Sequence, residues 1–270
     1  VGYTTPLLVL LLTMDTWIEP TTLLKGPLMT IHLIDIGNTT TEWVTCYDDG
    51  TDVSGSLLTD TLPDWVDTRP FPSDDLVAIS SVVPRHHPLL LQQGWTLLTH
   101  HDIPLPIALP HPERIGMDRL INAVGAYHRF EHACVVVDSG TATTLCVIGP
   151  DGTYQGGVIF PGLVSAARAL ASHTAQLPLI APQILPPSWV GTDTESAMTI
   201  GLMRGHILSI NGFIAHYRTL YPHLGVIGTG GGLTPLHSDL TLDAYHPHLW
   251  MDGMKVVLHR LSLYSNPYLK

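Results

Sequence analysis

Two stretches, one opening at residue 31 and the other at residue 135, repeat one hydrophobic pattern. The first, Ile31-His32-Leu33-Ile34, is an apolar run that ends at Asp35-Ile36-Gly37-Asn38-Thr39-Thr40 and resumes as a second strand closed by Asp49-Gly50. The second, Val135-Val136-Val137, ends at Asp138-Ser139-Gly140-Thr141-Ala142-Thr143-Thr144 and resumes as far as Asp151-Gly152. Short β-branched runs bounded by Gly and Asp read as strands, and Asp-Gly marks a tight hairpin turn. A repeat at domain scale predicts two related halves facing one another.

The rest of the pattern fills in each half. A third strand is expected near Thr51–Leu58, a buried one at Leu76–Val83 stopped by Pro84, and a short one at Trp95–Leu98. Residues 103–112 hold four prolines and read as an extended connector. Leu120, Val124 and Tyr127 have helical spacing, which predicts a helix over 119–130 crossing between the halves. Tyr154–Gly162 leads into a helix over 163–172, and a Pro-rich loop over 177–187 precedes a long helix over 194–218. Val226–Gly228 is a strand that runs into Thr229-Gly230-Gly231-Gly232, and a helix is expected over 249–261. Strand meanders followed by helices in each half give an α/β class, with halves at 29–122 and 123–270.

Composition then excludes several functions. The chain of 270 residues is 45% apolar, enough for a packed core rather than disorder. Only 12 residues are Lys or Arg and the formal net charge is −11, so no basic stripe awaits nucleic acid. The 16 His are scattered. His86-His87 and His100-His101 fall in Pro-rich loops without the spacing or Cys partners of a zinc site, and read as surface residues. Cys46, Cys134 and Cys146 lack metal or redox spacing, which suits reduced thiols in the cytoplasm. The apolar run Pro6–Leu12 is too short to span a bilayer and lacks a basic flank and a cleavage site. Residues 1–28 are expected to be a non-native or upstream extension, with Met29 the working initiator.

Each repeat sets an Asp at a strand end beside a Gly-opened turn. Glycine permits positive φ and presents no Cβ, so a phosphate can approach the main chain. Free N–H groups along such a turn form an anion-binding concavity, to which Asn and Thr side chains add contacts. A neighbouring Asp can hold a hard cation that bridges phosphate oxygens. One Asp-x-Gly alone fits an ordinary Asx turn; two copies, each after a buried strand, point to phosphate and metal chemistry. Gly116-Met117-Asp118-Arg119 also fits a helix start with an acidic first turn, and Asp193-Thr194 fits an N-cap. Thr229-Gly230-Gly231 fits a strand-to-helix turn.

Asp35-Ile36-Gly37-Asn38-Thr39, Gly116-Met117-Asp118-Arg119, Asp138-Ser139-Gly140-Thr141-Ala142-Thr143-Thr144, Gly156-Gly157-Val158-Ile159-Phe160-Pro161-Gly162 and Thr229-Gly230-Gly231 stand in the order found in type III pantothenate kinases. Thr174-Ala175-Gln176-Leu177-Pro178 and Val190-Gly191-Thr192-Asp193-Thr194 are also similar to that family, and the resemblance runs from Met29 nearly to the C-terminus. It implies an acetate kinase/actin-like α/β fold, two ribonuclease H-like half-domains around a nucleotide cleft. It further implies ATP-dependent phosphorylation of pantothenate to 4′-phosphopantothenate, the first step towards coenzyme A. Mg²⁺, a monovalent cation (K⁺ or NH₄⁺) and a cytoplasmic homodimer come with it; nucleic acid and membrane do not.

The same resemblance implies residue roles. Asp35, Ile36, Gly37, Asn38, Thr39, Thr40, Thr41 and Glu42 would meet the ATP phosphates, with Asp35 also on Mg²⁺. Thr141, Gly230 and Gly231 would contact ATP, and Asp138 would hold the monovalent cation. Asp118 would be the general base for the primary hydroxyl of pantothenate, a job for which one carboxylate suffices. Gly116, Met117 and Arg119 would line the substrate, the guanidinium fork matching its carboxylate. Thr194 would reach pantothenate at the dimer interface. Gly156-Gly157 and Pro161-Gly162 would shape the cleft wall.

Three positions depart from the family's pattern. Leu109 lies in Ala108-Leu109-Pro110-His111-Pro112, where many members carry an aromatic residue; Cys146 stands where Asp is frequent, and Glu42 where a basic residue is frequent. Strand alternation is expected to turn Glu42 outward. Two other functions fit the same motifs: a non-catalytic regulatory or binding protein on this scaffold, and a kinase for another small hydroxylated substrate.

Overall fold

The computed structural model describes residues 30–47, 50–68 and 70–263, so the expectations for residues 1–28, Met29 and Asp49 lie outside the described residues. In the first half, β1 (Ile31–Ile36), β2 (Thr40–Cys46), β3 (Asp52–Leu58), β4 (Leu76–Ser81) and β5 (Thr96–Leu97) form a sheet in the order β3-β2-β1-β4-β5. In the second, β6 (Cys134–Ser139), β7 (Ala142–Ile148), β8 (Tyr154–Pro161), β9 (Gly225–Thr229) and β10 (Ala244–Tyr245) form a sheet in the order β10-β9-β6-β7-β8. The two orders are the same topology. In each, an antiparallel meander of three strands is extended by a fourth strand parallel to the first. The sequence repeat is therefore a repeat of architecture, two ribonuclease H-like halves of an actin-like fold.

Six helices cover these sheets among the described residues: α1 (Leu62–Asp67), α2 (His87–Gln92), α3 (Met117–Phe130), α4 (Leu163–His173), α5 (Thr194–Leu220) and α6 (Leu249–Arg260). Strand alternation decides which covers what. On β1, Ile31 and Leu33 face α3 and α6, while Ile34 and Ile36 face the core under α1 and α2. On β6, Cys134 and Val136 also face α3 and α6, while Val135 and Val137 face α5. The α3/α6 pair is thus sandwiched between the two sheets and shares one core with both. Gly253 allows the close crossing, since a Cβ there would lie 2.0 Å from the Ile121 carbonyl oxygen of α3.

Differences from expectation are concentrated in short elements. The helices α1 and α2 and the two-residue strand β10 carry too few residues for a periodic signal. Both helices have Pro in their first two positions, where its fixed φ suits a helix start. His86 and His87 accordingly lie in a 3-10 turn and the first residue of α2 rather than in an open loop. His86 is buried and the His87 ring lies 3.1 Å from Ser81 Oγ. Burial lowers the pKa of both rings. No described helix is long and apolar enough to cross a membrane.

Candidate active site

The alternation that buries Leu33 and Val136 against α3 and α6 also sends Asp35 and Asp138 to the inner faces of the two sheets. Burial, then the Asp118 and Glu42 carboxylates with Asp138 weakest, raises Asp35 to a pKa of about 8 against the pull of Ser80. Asp138 rises to about 7, again through burial first and then Asp118 and Glu42. Asp118 opens α3 from the second position of the helix and is raised too, by desolvation. Its Oδ1 accepts the Arg119 N–H at 2.7 Å, a helix-end donor that also reaches the Gly116 carbonyl at 3.2 Å. Gly116 is its N-cap, and a Cβ there would lie 2.4 Å from that oxygen. Carboxylates from both sheets and the helix between them therefore share one cleft.

Glu42 belongs to this group, contrary to the outward orientation expected of it. It pairs directly with Asp35 in the β1–β2 ladder, and directly opposed residues share a face. Its Oε2 accepts the Trp250 indole N–H at 2.9 Å, with His248 Nδ1 at 3.8 Å. The indole donor answers a charge that the neighbouring carboxylates oppose.

The two turns meet across the cleft: Thr39 Oγ1 and Thr141 Oγ1 are 3.0 Å apart. Their glycines work differently from the expectation of free N–H groups. Gly37 N–H donates to the Thr40 carbonyl at 3.0 Å and Gly140 N–H to Ala142 at 2.9 Å, closing each hairpin. Neither glycine has positive φ. The N–H groups without a partner among the described residues are those of Asn38, Thr39 and Thr141. Gly140 contributes open space, with nothing within 4 Å of a Cβ built there. Thr40 is exposed, but Ile36 and Thr41 are fully buried. The Ile36 side chain lies in the outer core, and Thr41 Oγ1 is 3.1 Å from Thr59 Oγ1.

At the end of β9, Gly230 adopts φ +85°, and a Cβ there would lie 2.4 Å from Asp138 Oδ1. Only glycine lets this strand end pass so close to the carboxylate. Gly231 beside it faces open space. Met117 is buried in the inner core. Thr194 is the exposed first residue of α5, capped by Asp193 and Ser196. Among the described residues no hydrogen bond or ion pair joins it to the carboxylate cleft.

Several neighbours were not singled out in the sequence. Asn122 Nδ2 donates to Asp138 Oδ2 at 3.2 Å; it lies four residues after Asp118, hence on the same helix face, and that spacing was the available signal. Ser80 pairs with Asp35 across β1 and β4. Arg119 Nε donates to Cys146 Sγ at 3.2 Å, and the Tyr154 hydroxyl donates to the same sulfur at 3.3 Å. Behind the second turn, Ser139, Thr143 and His206 form a buried chain with spacings of 2.7 and 2.9 Å.

The donor set suits a hard cation beside phosphate. Asp35 Oδ1 and Asn122 Oδ1 are buried and have no hydrogen-bond partner. Among the described residues no three His, Cys, Asp or Glu side chains converge to hold a metal unaided. Mg²⁺ needs only one or two carboxylates when phosphate oxygens and water complete its shell.

The family model of type III pantothenate kinases matches residues 31–216. A type III pantothenate kinase of Desulfosudis oleivorans is 37% identical over 157 residues, 57% of this chain and 61% of that protein. The chain thus spans about three fifths of the first relatives it matches. The alignment with a type III pantothenate kinase of Akkermansia muciniphila is longer, 35% identical over 84% of this chain and 98% of the relative. A Campylobacter jejuni structure assigned to the Baf family of transcriptional activators superposes with a TM-score of 0.61 at 20% identity, over 86% of this chain and 100% of that one. That likeness shows a shared fold. With the family model covering both repeated hairpins, the chain belongs to the type III pantothenate kinase family.

Proposed function

We propose that the protein transfers the γ-phosphate of ATP to the primary hydroxyl of pantothenate, giving 4′-phosphopantothenate for coenzyme A synthesis. The observation that carries this is that Asp35, Asp118 and Asp138, from both sheets and α3, act electrostatically on one another beside two hairpin turns that meet. Phosphoryl transfer asks the protein for positioning and charge stabilisation rather than covalent chemistry. The N–H groups of Asn38, Thr39 and Thr141 and the open space at Gly140 and Gly231 support placing the nucleotide phosphates there. Asp35 is the proposed Mg²⁺ ligand, and Asp138, held by Asn122, the proposed ligand of K⁺ or NH₄⁺. A bound cation supplies the positive charge that crowded carboxylates and phosphates both need.

Asp118 is the proposed general base. Desolvation raises the pKa of its carboxyl against the pull of Arg119, which strengthens it as a proton acceptor. Arg119 is the proposed partner of the substrate carboxylate. Three buried cysteines without disulfides fit a cytoplasmic setting. A homodimer is supported by α5, whose exposed Thr194, Gly201 and Leu208 recur at seven-residue steps on one face.

The test is ADP release from ATP, Mg²⁺ and pantothenate in K⁺ against Na⁺ buffer. Pantothenate-dependent, K⁺-stimulated turnover is expected, and Asp118→Asn should lower it about 10²–10⁴-fold. Turnover indifferent to pantothenate, or a fully active Asp118→Asn protein, would overturn the proposal.

A further inference from the structure

We infer that Cys146 and Tyr154 are positioning residues for Arg119, holding one edge of its guanidinium so that the other is presented to the substrate carboxylate. This rests on the proposed pairing of Arg119 with that carboxylate. Arg119 is half-buried and takes part in none of the ion pairs among the described residues. Asp118 attracts the guanidinium electrostatically without pairing with it, so a partly desolvated charge is left for an incoming anion to meet.

Its one described side-chain partner is unusual. Nε donates to Cys146 Sγ at 3.2 Å, and the Tyr154 hydroxyl donates to the same atom at 3.3 Å. Cys146 and Tyr154 are 1% and 0% exposed, so the anchor is fixed by packing within the core shared by both sheets. A guanidinium carries five donors, and engaging Nε leaves both Nη groups without a partner among the described residues. Those groups form a fork that a carboxylate accepts in two parallel bonds. A carboxylate at position 146 would fix the same geometry but compete for the charge. Sulfur is a weaker acceptor, which orients Arg119 and leaves its charge for the incoming anion.

The readout is the ratio of kcat/KM for pantothenate to that for its alcohol analogue, in which CH₂OH replaces the carboxylate. Wild type should favour pantothenate strongly. Cys146→Ala should cut the ratio about tenfold, mainly through the KM for pantothenate, while Cys146→Ser, whose hydroxyl still accepts from Nε, should stay within about threefold. Tyr154→Phe should lower it about threefold. If Cys146 only fills space, Ala and Ser will lose the preference alike or Ser will be worse, and either result overturns the assignment. An unchanged ratio in Cys146→Ala does the same, and an unchanged Tyr154→Phe removes Tyr154. A wild type that turns over both compounds equally would instead sink the pairing of Arg119 with the carboxylate, and this inference with it.

Discussion

Asp35 and Asp138 are single carboxyl groups whose protonation is tied to folding. Both are raised above the model-peptide value of 3.8, to about 8 and about 7, with burial the largest cause. A raised carboxyl pKa means the folded chain keeps protons that the unfolded chain has released. Between pH 3.8 and roughly 8 the folded state therefore binds more protons, and stability falls as pH rises through that window. The cation-free protein should melt at least about 5 °C lower at pH 8 than at pH 5.5. Mg²⁺ with K⁺ should recover part of the loss at pH 8, because ligands of the native state stabilise it. Calorimetry at both pH values, with and without the cations, checks this; higher stability at pH 8 without cations would mean the carboxylates sit ionised and well paired. The positions of Asp35 and Asp138 were legible because the repeat sets each at the end of a buried strand beside a Gly-opened turn. The Arg119–Cys146–Tyr154 cluster was not, because it joins a helix to two strands through side-chain reach alone. Glu42 was misplaced for a related reason: alternation tells whether two residues share a face only once the register, Asp35 opposite Glu42, is known.

At the scale of elements, the site depends on how α3 lies between the sheets. Asp118 and Asn122 reach the cleft because α3 crosses α6 closely, with Gly125 and Gly253 at the contact. A Cβ on Gly253 would lie 2.0 Å from the Ile121 carbonyl oxygen, a backbone atom that cannot swing aside like a side-chain tip. Gly253→Ala should destabilise the protein by about 1–3 kcal/mol, an overpacking cost, and lower its melting temperature by several degrees. Turnover should fall further than stability explains, since displacing α3 moves Asp118 relative to Asp35. Equal stability of the two proteins in urea would show that the crossing is looser than described. The long helices and the meanders were legible from periodicity. The six-residue helices and the two-residue strand were not, because their conformation is set by packing against a sheet rather than by a repeat of their own.

At the scale of the whole molecule, α5 is the element whose sequence makes least sense in a monomer. It runs 27 residues from Thr194 to Leu220, yet Gly201, Gly205 and Gly212 interrupt its exposed surface. A Cβ at any of the three would meet nothing within 4 Å in this chain. Each such glycine costs a helix about 1 kcal/mol relative to alanine, a cost with no return inside one protomer. Glycines on a helix surface do let a second helix approach closely, and exposed Leu208 lies between them. Nearby, Arg204 stacks on Trp189 at 4.1 Å and bonds the carbonyls of Pro186, Pro187 and Ser188, which pins a segment whose Trp189 and Val190 are exposed. Large exposed apolar groups gathered around such a face are what an association surface would cover, which supports the proposed dimer. Thr194 begins the same face, so a second copy docked there would place its own Thr194 beside this chain, as the role that the family resemblance implies for Thr194 requires. The two states predict opposite signs for one variant. In a monomer, Gly205→Leu only improves helix propensity and should raise the melting temperature slightly. In a dimer it intrudes between two helices and should split the assembly. Sedimentation of the wild type as a dimer and of Gly205→Leu as a monomer is the expected outcome. A monomeric wild type, with Gly205→Leu merely more stable, would remove both the dimer and the role of Thr194.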